Sequence, residues 1–305
     1  MPRFSFGGGT HVGNKRKHNE DCYRATPSVG LWVVADGMGG AKGGEVASNI
    51  AVNEVLSCIK RNMPLKQAIL TAHQSIIDSA SNNKDLDGMG STVVALKCHS
   101  NNDYEIAWVG DSRAYLWGNK LSRLTKDHSY VQQLVNRGEL DPDKTWGHIK
   151  SNVIVQALGM VNKDIGVDRY SGKWNNGQKI LLCSDGLHGE LKDSEIEDIV
   201  SQDIPNQQIV DLLINAALSK GGKDNISALL VSPVNVTKSP TDRNDETIPY
   251  EEASNAPTTL NQTIQMSAKE SPNTRKLNTN NLILLSIIII GVLVFVLFLA
   301  QSAPD

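Results

Sequence analysis

Six short apolar runs rich in β-branched residues constrain this chain more than any other feature. They are Leu31–Ala35 (LWVVA), Ser91–Lys97 (STVVALK), Tyr104–Val109 (YEIAWV), Arg113–Trp117 (RAYLW), Lys179–Cys183 (KILLC) and Ile226–Val231 (ISALLV), bounded by Gly, Asp, Asn or Ser. Such runs predict strands. Two helical stretches separate the first two. In Glu45–Arg61, Val46, Ile50, Val55 and Ile59 fall near one face, with Ala47, Ala51 and Leu56 beside them. In Pro64–Ala80 the stripe is Leu65, Ala68, Ile69, Ala72 and Ile76, and Pro64 suits a helix start. Further helices are predicted at Ser194–Val200 and Asn206–Ser219. Strands outnumber helices and follow in meander order without steady strand–helix alternation. This argues against a doubly wound parallel sheet and predicts a layered α+β domain over residues 1–232.

Acidic turns punctuate these strands. Ala35-Asp36-Gly37 follows the first, Gly110-Asp111-Ser112 joins two others, Ser184-Asp185-Gly186 follows the fifth, and Lys223-Asp224-Asn225 precedes the last. Singly, each is ordinary loop chemistry, because Asp and Gly are favoured in turns. Strands ending at one edge of a sandwich would gather all four carboxylates, and gathered carboxylates repel unless cations or protons neutralise them. Hard divalent ions such as Mg²⁺ or Mn²⁺ take oxygen ligands, so a metal cluster is the economical reading. Glu20-Asp21, in HNEDCY, offers two more acidic groups.

Composition narrows the function classes. Charged residues make up 21% of the 305, and the net charge is −3, which excludes a strongly basic nucleic-acid binder and a highly charged disordered chain. The four cysteines, Cys22, Cys58, Cys98 and Cys183, lie far apart with no C-x-x-C pair. They predict reduced thiols in a cytosolic setting rather than a disulfide framework or a zinc ribbon.

The C-terminal end departs from this globular pattern. Residues 233–281 are rich in Thr, Asn, Ser and Pro, show neither helical nor strand periodicity, and predict a disordered tether. As a flexible coil, 49 residues span about 35–40 Å. Its DETIPYEE and PTTLNQTI segments carry threonines that are candidates for phosphorylation. Leu282–Ala300 (LILLSIIIIGVLVFVLFLA) then runs nineteen residues without a charge. As a helix it measures about 28 Å, close to a hydrocarbon core of about 30 Å, and predicts a single membrane span. Arg275 and Lys276 precede it and only Asp305 follows. The positive-inside rule therefore puts the large N-terminal part in the cytoplasm and residues 301–305 outside, in a cytoplasmic membrane. The opening MPRFSFGGGT lacks the hydrophobic stretch of a signal peptide, in keeping with a domain that is not exported.

The ordered motifs NKRKHNED (14–21), VVADGMGG (33–40), GST (90–92), VGDSRAYL (109–116), LTKDHS (124–129), LLCSDGL (181–187) and GGKDNIS (221–227) closely resemble those of the bacterial branch of the type-2C metal-dependent protein phosphatases. The resemblance covers about residues 7–232. It implies a four-layer α-β-β-α sandwich with a two-metal site, Mn²⁺ or Mg²⁺, at one end. It further implies that Asp36 bridges both ions, that Asp185 and Asp224 complete one, and that Glu20 and the backbone carbonyl of Gly37 serve the other. Asp21 would hold metal-bound water, and Asp111 with Asp185 would take the weaker third ion seen in many bacterial members. Arg16 matches the arginine that binds the substrate phosphate. The implied reaction is hydrolysis of phosphoserine and phosphothreonine in proteins by direct attack of a metal-bridging hydroxide, without a protein nucleophile. A Ser/Thr kinase is the implied counterpart.

Several positions depart from the family pattern. Met38 stands where many eukaryotic relatives carry the His proposed as general acid, which leaves the leaving-group acid to a metal-bound water or to His128 or His148. In the flap, about Asp127–Asn152, the usual N-H-P-x-R-N appears as Gly147-His148-Ile149-Lys150-Ser151-Asn152, and Val155-Gln156 replaces the common Thr-Arg. Two other functions compete with a membrane-anchored protein phosphatase: a pseudophosphatase that only holds phosphoproteins, and a phosphatase of small metabolites. Retention of Glu20, Asp36, Asp111, Asp185 and Asp224 speaks against the first.

Overall fold

The computed structural model describes residues 3–161, 164–234 and 253–254. In chain order its elements are β1 (Phe4–His11), β2 (Asp21–Thr26), β3 (Leu31–Met38), α1 (Gly40–Lys60), α2 (Leu65–Asn82), β4 (Gly90–Ser91), β5 (Val93–Cys98), β6 (Asp103–Val109), β7 (Arg113–Trp117), β8 (Leu121–Arg123), α3 (Tyr130–Asn136), β9 (Asp168–Lys173), β10 (Lys179–Cys183), α4 (Asp185–His188), α5 (Asp193–Val200), α6 (Asn206–Lys220), β11 (Ile226–Pro233) and β12 (Ala253–Ser254). The six predicted strands and four predicted helices all form. The run Ser91–Lys97 is interrupted at Thr92, whose hydroxyl accepts the Asp36 N–H at 3.0 Å.

The strands build two antiparallel sheets, ordered β1-β11-β10-β7-β8 and β12-β2-β3-β5-β6-β9, with β4 beside β3. Along the central strands β3, β5, β6, β10 and β11 successive side chains alternate between faces and both faces are largely buried, which explains why these runs read as continuously hydrophobic. On β3, Leu31, Val33 and Ala35 face α1 and α2, while Trp32 and Val34 enter the space between the sheets. On β10, Ile180 and Leu182 point into that same space, and Leu181 and Cys183 turn to α5 and α6. Three apolar cores separated by two sheets make the predicted four-layer α-β-β-α sandwich.

Antiparallel pairing gathers alternate strand ends at one edge. Asp21 at the start of β2 pairs with Asp36 near the end of β3, and Arg113 at the start of β7 pairs with Cys183 at the end of β10. Asp111 lies in the connection that carries the chain from one sheet to the other. The edge so formed carries all the acidic turns.

Within the stretch 233–281, Ala253 and Ser254 pair antiparallel with Ala25 and Arg24 on β2. An edge strand offers unpaired backbone groups that an extended segment satisfies whatever its composition. The remainder of the tether beyond Val234, the apolar run Leu282–Ala300 and residues 301–305 lie outside the described residues. Among the described residues no helix is long and apolar enough to cross a membrane.

Candidate metal centre

Asp36 is held by its backbone. Its N–H donates to Thr92 Oγ1 at 3.0 Å, and its carbonyl accepts from Thr92 N at 2.8 Å and Ser91 Oγ at 3.1 Å. Gly37 N donates to Glu20 O at 3.1 Å, which brings the N-terminal loop against β3. A Cβ on Gly37 would lie 1.9 Å from Gly44 O, so only glycine fits this crossing. Asn225 completes the clamp. Its Oδ1 accepts the Glu20 N–H at 2.8 Å, and its Nδ2 donates to the carbonyls of Val12 and His18, each at 2.9 Å. The loop carrying Arg16 and Glu20 is thereby fixed to the residue after Asp224.

The structure brings Glu20, Asp21, Asp36, Asp111, Asp185 and Asp224 into one interacting group. Burial and the charges of Asp21, Asp185, Asp111 and Asp224 push the Asp36 carboxyl well above the usual range. Burial, then Asp185 and Asp127, do the same to Asp111. Asp185 is raised to about 6 by burial and Asp224, although a hydrogen bond to Asp36 opposes the rise. Asp21 rises to about 7 through burial, against hydrogen bonds from Ser184 and Ser227. Glu20 is raised by burial and lowered by Arg16. Crowded carboxylates of this kind want a cation.

Part of that need is met within the chain. Arg16 Nη2 sits 2.7 Å from Asp224 Oδ2, with about half of the arginine side chain exposed. Asp185 Oδ1 is buried without a hydrogen-bond partner. An orphaned carboxylate oxygen amid all-oxygen donors fits a hard divalent ion. Among the described residues no three His, Cys, Asp or Glu side chains close into a single ligand cage. Mg²⁺ and Mn²⁺ need no such cage, since they bind through one or two carboxylates and retain water.

Supporting residues were less visible in the sequence. Ser184 Oγ donates to Asp21 Oδ2 at 2.7 Å and accepts the Ser227 N–H at 3.0 Å. Buried His188 donates from Nε2 to the carbonyl of Asp111 at 3.0 Å; burial, then the charge of Arg113, pull its pKa down to about 3. The short motifs around Asp185 and Asp224 contain these side chains, but nothing in the spacing assigns them partners. His148 is half-buried in the flap, and its Nδ1 accepts the Lys150 N–H at 3.1 Å. His128 accepts the Gly110 N–H at its ring Nδ1, 3.1 Å away. Cys22 and Cys183 are fully buried and belong to the apolar cores, as expected.

Beside the carboxylates opens a cavity of about 490 Å³. Asp111, Asp185 and Asp224 line one end, and Trp146 and His148 of the flap line the other. Lys192 Nζ lies 5.1 Å over the Trp146 ring, joining the flap to the start of α5.

Residues 8–230 match the family model described as protein phosphatase 2C. The chain is 36% identical over 236 residues to the serine/threonine phosphatase stp of Listeria welshimeri, covering 73% of this chain and 93% of that protein. It superposes on the crystal structure of the Mycobacterium tuberculosis serine/threonine phosphatase PstP/Ppp with a TM-score of 0.69 and 28% identity, over 76% of this chain and 99% of that one. A second structure, the catalytic domain of the serine/threonine protein phosphatase PstP in complex with two manganese ions, matches with a TM-score of 0.68 and 29% identity, over 76% and 99% of the two chains.

Proposed function

Because the chain belongs to the protein phosphatase 2C family and is a metal-dependent serine/threonine protein phosphatase of the bacterial type, we propose that it uses two Mn²⁺ or Mg²⁺ ions to dephosphorylate phosphoserine and phosphothreonine proteins at the cytoplasmic membrane, in opposition to a Ser/Thr kinase. The observation that carries the metal assignment is the meeting of Asp36, Asp185 and Asp224 at one sheet edge, with Asp185 Oδ1 left unpartnered.

On this reading Asp36, Asp185, Asp224, Glu20 and the Gly37 carbonyl would hold the two ions, and Asp111 with Asp185 would hold a weaker third. When bound, the ions supply Lewis acidity that activates water near neutral pH and offsets phosphoryl charge. The chain's own residues do the rest. Arg16, half-exposed beside Asp224, meets the phosphate with planar paired donors. Asp21, fixed by Ser184, orients water at the inner side of the site. Met38, half-buried at the end of β3, carries no titratable proton, so the side chain at this position supplies no general acid.

The reaction is tested with p-nitrophenyl phosphate and phosphothreonine peptides in Mn²⁺, with EDTA as control. Asp36→Asn and Asp185→Asn are each expected to lower turnover by about a hundredfold or more, the scale of losing one electrostatic stabiliser. Undiminished activity in either variant defeats the metal assignment. The apolar run Leu282–Ala300 and the basic pair Arg275 and Lys276 support the membrane reading, with the catalytic domain on the cytoplasmic side.

A further inference from the structure

His128 opens the flap and makes contacts that define its tautomer. Its backbone N–H donates to Gly110 O at 2.9 Å, and its ring Nδ1 accepts the Gly110 N–H at 3.1 Å. His128 thus holds both backbone polar groups of the residue before Asp111, the carbonyl through its own backbone N–H and the N–H through its ring. Gly110 has φ +106°, and a Cβ there would meet the Thr92 side chain at 2.7 Å, so this turn is tightly confined.

Gln156, where the flap returns, reaches the same nitrogen. Its Oε1 accepts the Gly166 N–H at 3.1 Å and its Nε2 donates to Gly166 O at 2.7 Å, which fixes the amide orientation. Nε2 therefore points an N–H at His128 Nδ1, 2.8 Å away. Two N–H donors converge on Nδ1, so that nitrogen carries the lone pair and the ring proton resides on Nε2. Nε2 in turn faces Asp168 Oδ2 at 3.4 Å. One imidazole joins the Asp111 turn, both feet of the flap and the start of β9.

We infer that His128, locked as the Nε2–H tautomer by Gln156, is a positioning residue that sets the Gly110–Asp111 turn and so the site of the weaker metal ion, and is not the proton donor of the reaction. The metal half of this rests on reading Asp111 as a ligand. Gln156 stands where the family commonly has arginine, and a guanidinium would also donate to Nδ1. A carboxylate at 156 would instead accept, draw a proton onto Nδ1 and displace the Gly110 N–H.

The test uses the full chain with ¹⁵N-labelled histidine, with the His128 ring signals assigned by their loss in His128→Asn. In long-range proton–nitrogen spectra, Nδ1 of His128 is expected to be unprotonated in wild type and in Gln156→Arg, and protonated in Gln156→Glu. Calorimetric titration with Mn²⁺ alone is expected to weaken the weakest binding step by about tenfold or more in Gln156→Glu and to leave it near wild type in Gln156→Arg, the usual scale for a lost outer partner of a metal ligand. Gln156→Met, which removes the donor without adding charge, is expected to weaken the same step and serves if Gln156→Glu does not fold. A protonated Nδ1 in wild type, or wild-type Mn²⁺ binding in both Gln156→Glu and Gln156→Met, overturns the proposal. Asp111→Asn separates the two readings. Wild-type Mn²⁺ titration in that variant removes Asp111 from the ligand set and the metal half of the proposal with it, while the tautomer is decided by the spectra alone.

Discussion

Asp21 and Asp36 stand directly opposite each other across the β2–β3 ladder. Like charges in that relation destabilise a sheet. Burial raises both carboxyls, so the folded state holds protons that the unfolded chain releases. The sign follows: this part of the stability is present below the unfolded pKa of about 4 and declines as pH rises toward neutrality.

Asp36→Asn removes one of the two mutually repelling carboxyls. In EDTA at neutral pH the variant is expected to be more stable than wild type, by about 1 kcal/mol. In millimolar Mn²⁺ the order is expected to reverse, because bound metal stabilises the folded form of wild type alone. Urea unfolding with and without metal reads both. A variant no more stable than wild type in EDTA would show that the carboxylate pair imposes no strain.

Arg113 and Asp127 form a buried ion pair at the base of the flap. Arg113 Nε donates to Asp127 Oδ1 at 3.0 Å and Nη2 to Oδ2 at 2.7 Å, while Nη1 reaches Tyr115 Oη at 3.0 Å. Although burial alone raises the Asp127 carboxyl, the charge and hydrogen bonds of Arg113 hold it below its ordinary value. Asp127→Ala leaves a buried guanidinium without its carboxylate and is expected to cost about 3–5 kcal/mol at pH 7. A depressed carboxyl stabilises the fold above the unfolded pKa and loses that contribution as pH falls through the folded value. The gap between wild type and variant is therefore expected to start narrowing only below about pH 4 and to keep narrowing as pH falls further. Denaturant unfolding at pH 7 and at successive pH values below about 4 checks it.

All four cysteines are buried and unbridged. Burial pushes the Cys22 and Cys98 thiols up to about 12, and raises those of Cys58 and Cys183. The native protein is expected to give no fast reaction with a thiol-specific disulfide reagent and to keep its phosphatase activity through that exposure. Four thiols titrate once it is unfolded. Rapid inactivation of the native enzyme by the reagent would assign a cysteine to the chemistry.

Much of this architecture is readable from runs such as LWVVA and KILLC because two-sided burial imposes unbroken apolar composition. β1 hides because Gly7, Gly8 and Gly9 interrupt FSFGGGTH. A Cβ on Gly7 would lie 2.5 Å from the Asn206 backbone, so contact with α6 dictates that composition. β9 hides for the opposite reason: it is a mostly exposed edge strand reading DRYSGK. At the site, the Asp-Gly turns were legible because strand ends and carboxylates coincide in sequence. The Ser184–Asp21 bond and the His128–Gln156 contact join residues 163 and 28 positions apart, and no local pattern encodes such meetings.

Leu282–Ala300 is expected to hold the enzyme in the membrane fraction, and a chain ending at residue 281 is expected to move to the soluble fraction with p-nitrophenyl phosphate turnover unchanged. Ultracentrifugation followed by immunoblotting decides it. Equal partitioning of both chains would remove the anchor.

The pairing of Ala253–Ser254 with β2 changes what such an anchor does. A leash measured from residue 233 has 49 residues, but one measured from Ser254 has 27 before Leu282. If Leu282–Ala300 anchors the chain, a flexible coil of that length would span about 26–31 Å. The shorter leash would raise the local concentration of the catalytic domain at the bilayer surface roughly twofold. It would also shrink the enzyme's radius of action, favouring phosphoproteins that lie close to the lipid. Peeling two residues from a sheet edge would lengthen that reach without altering any residue of the active site.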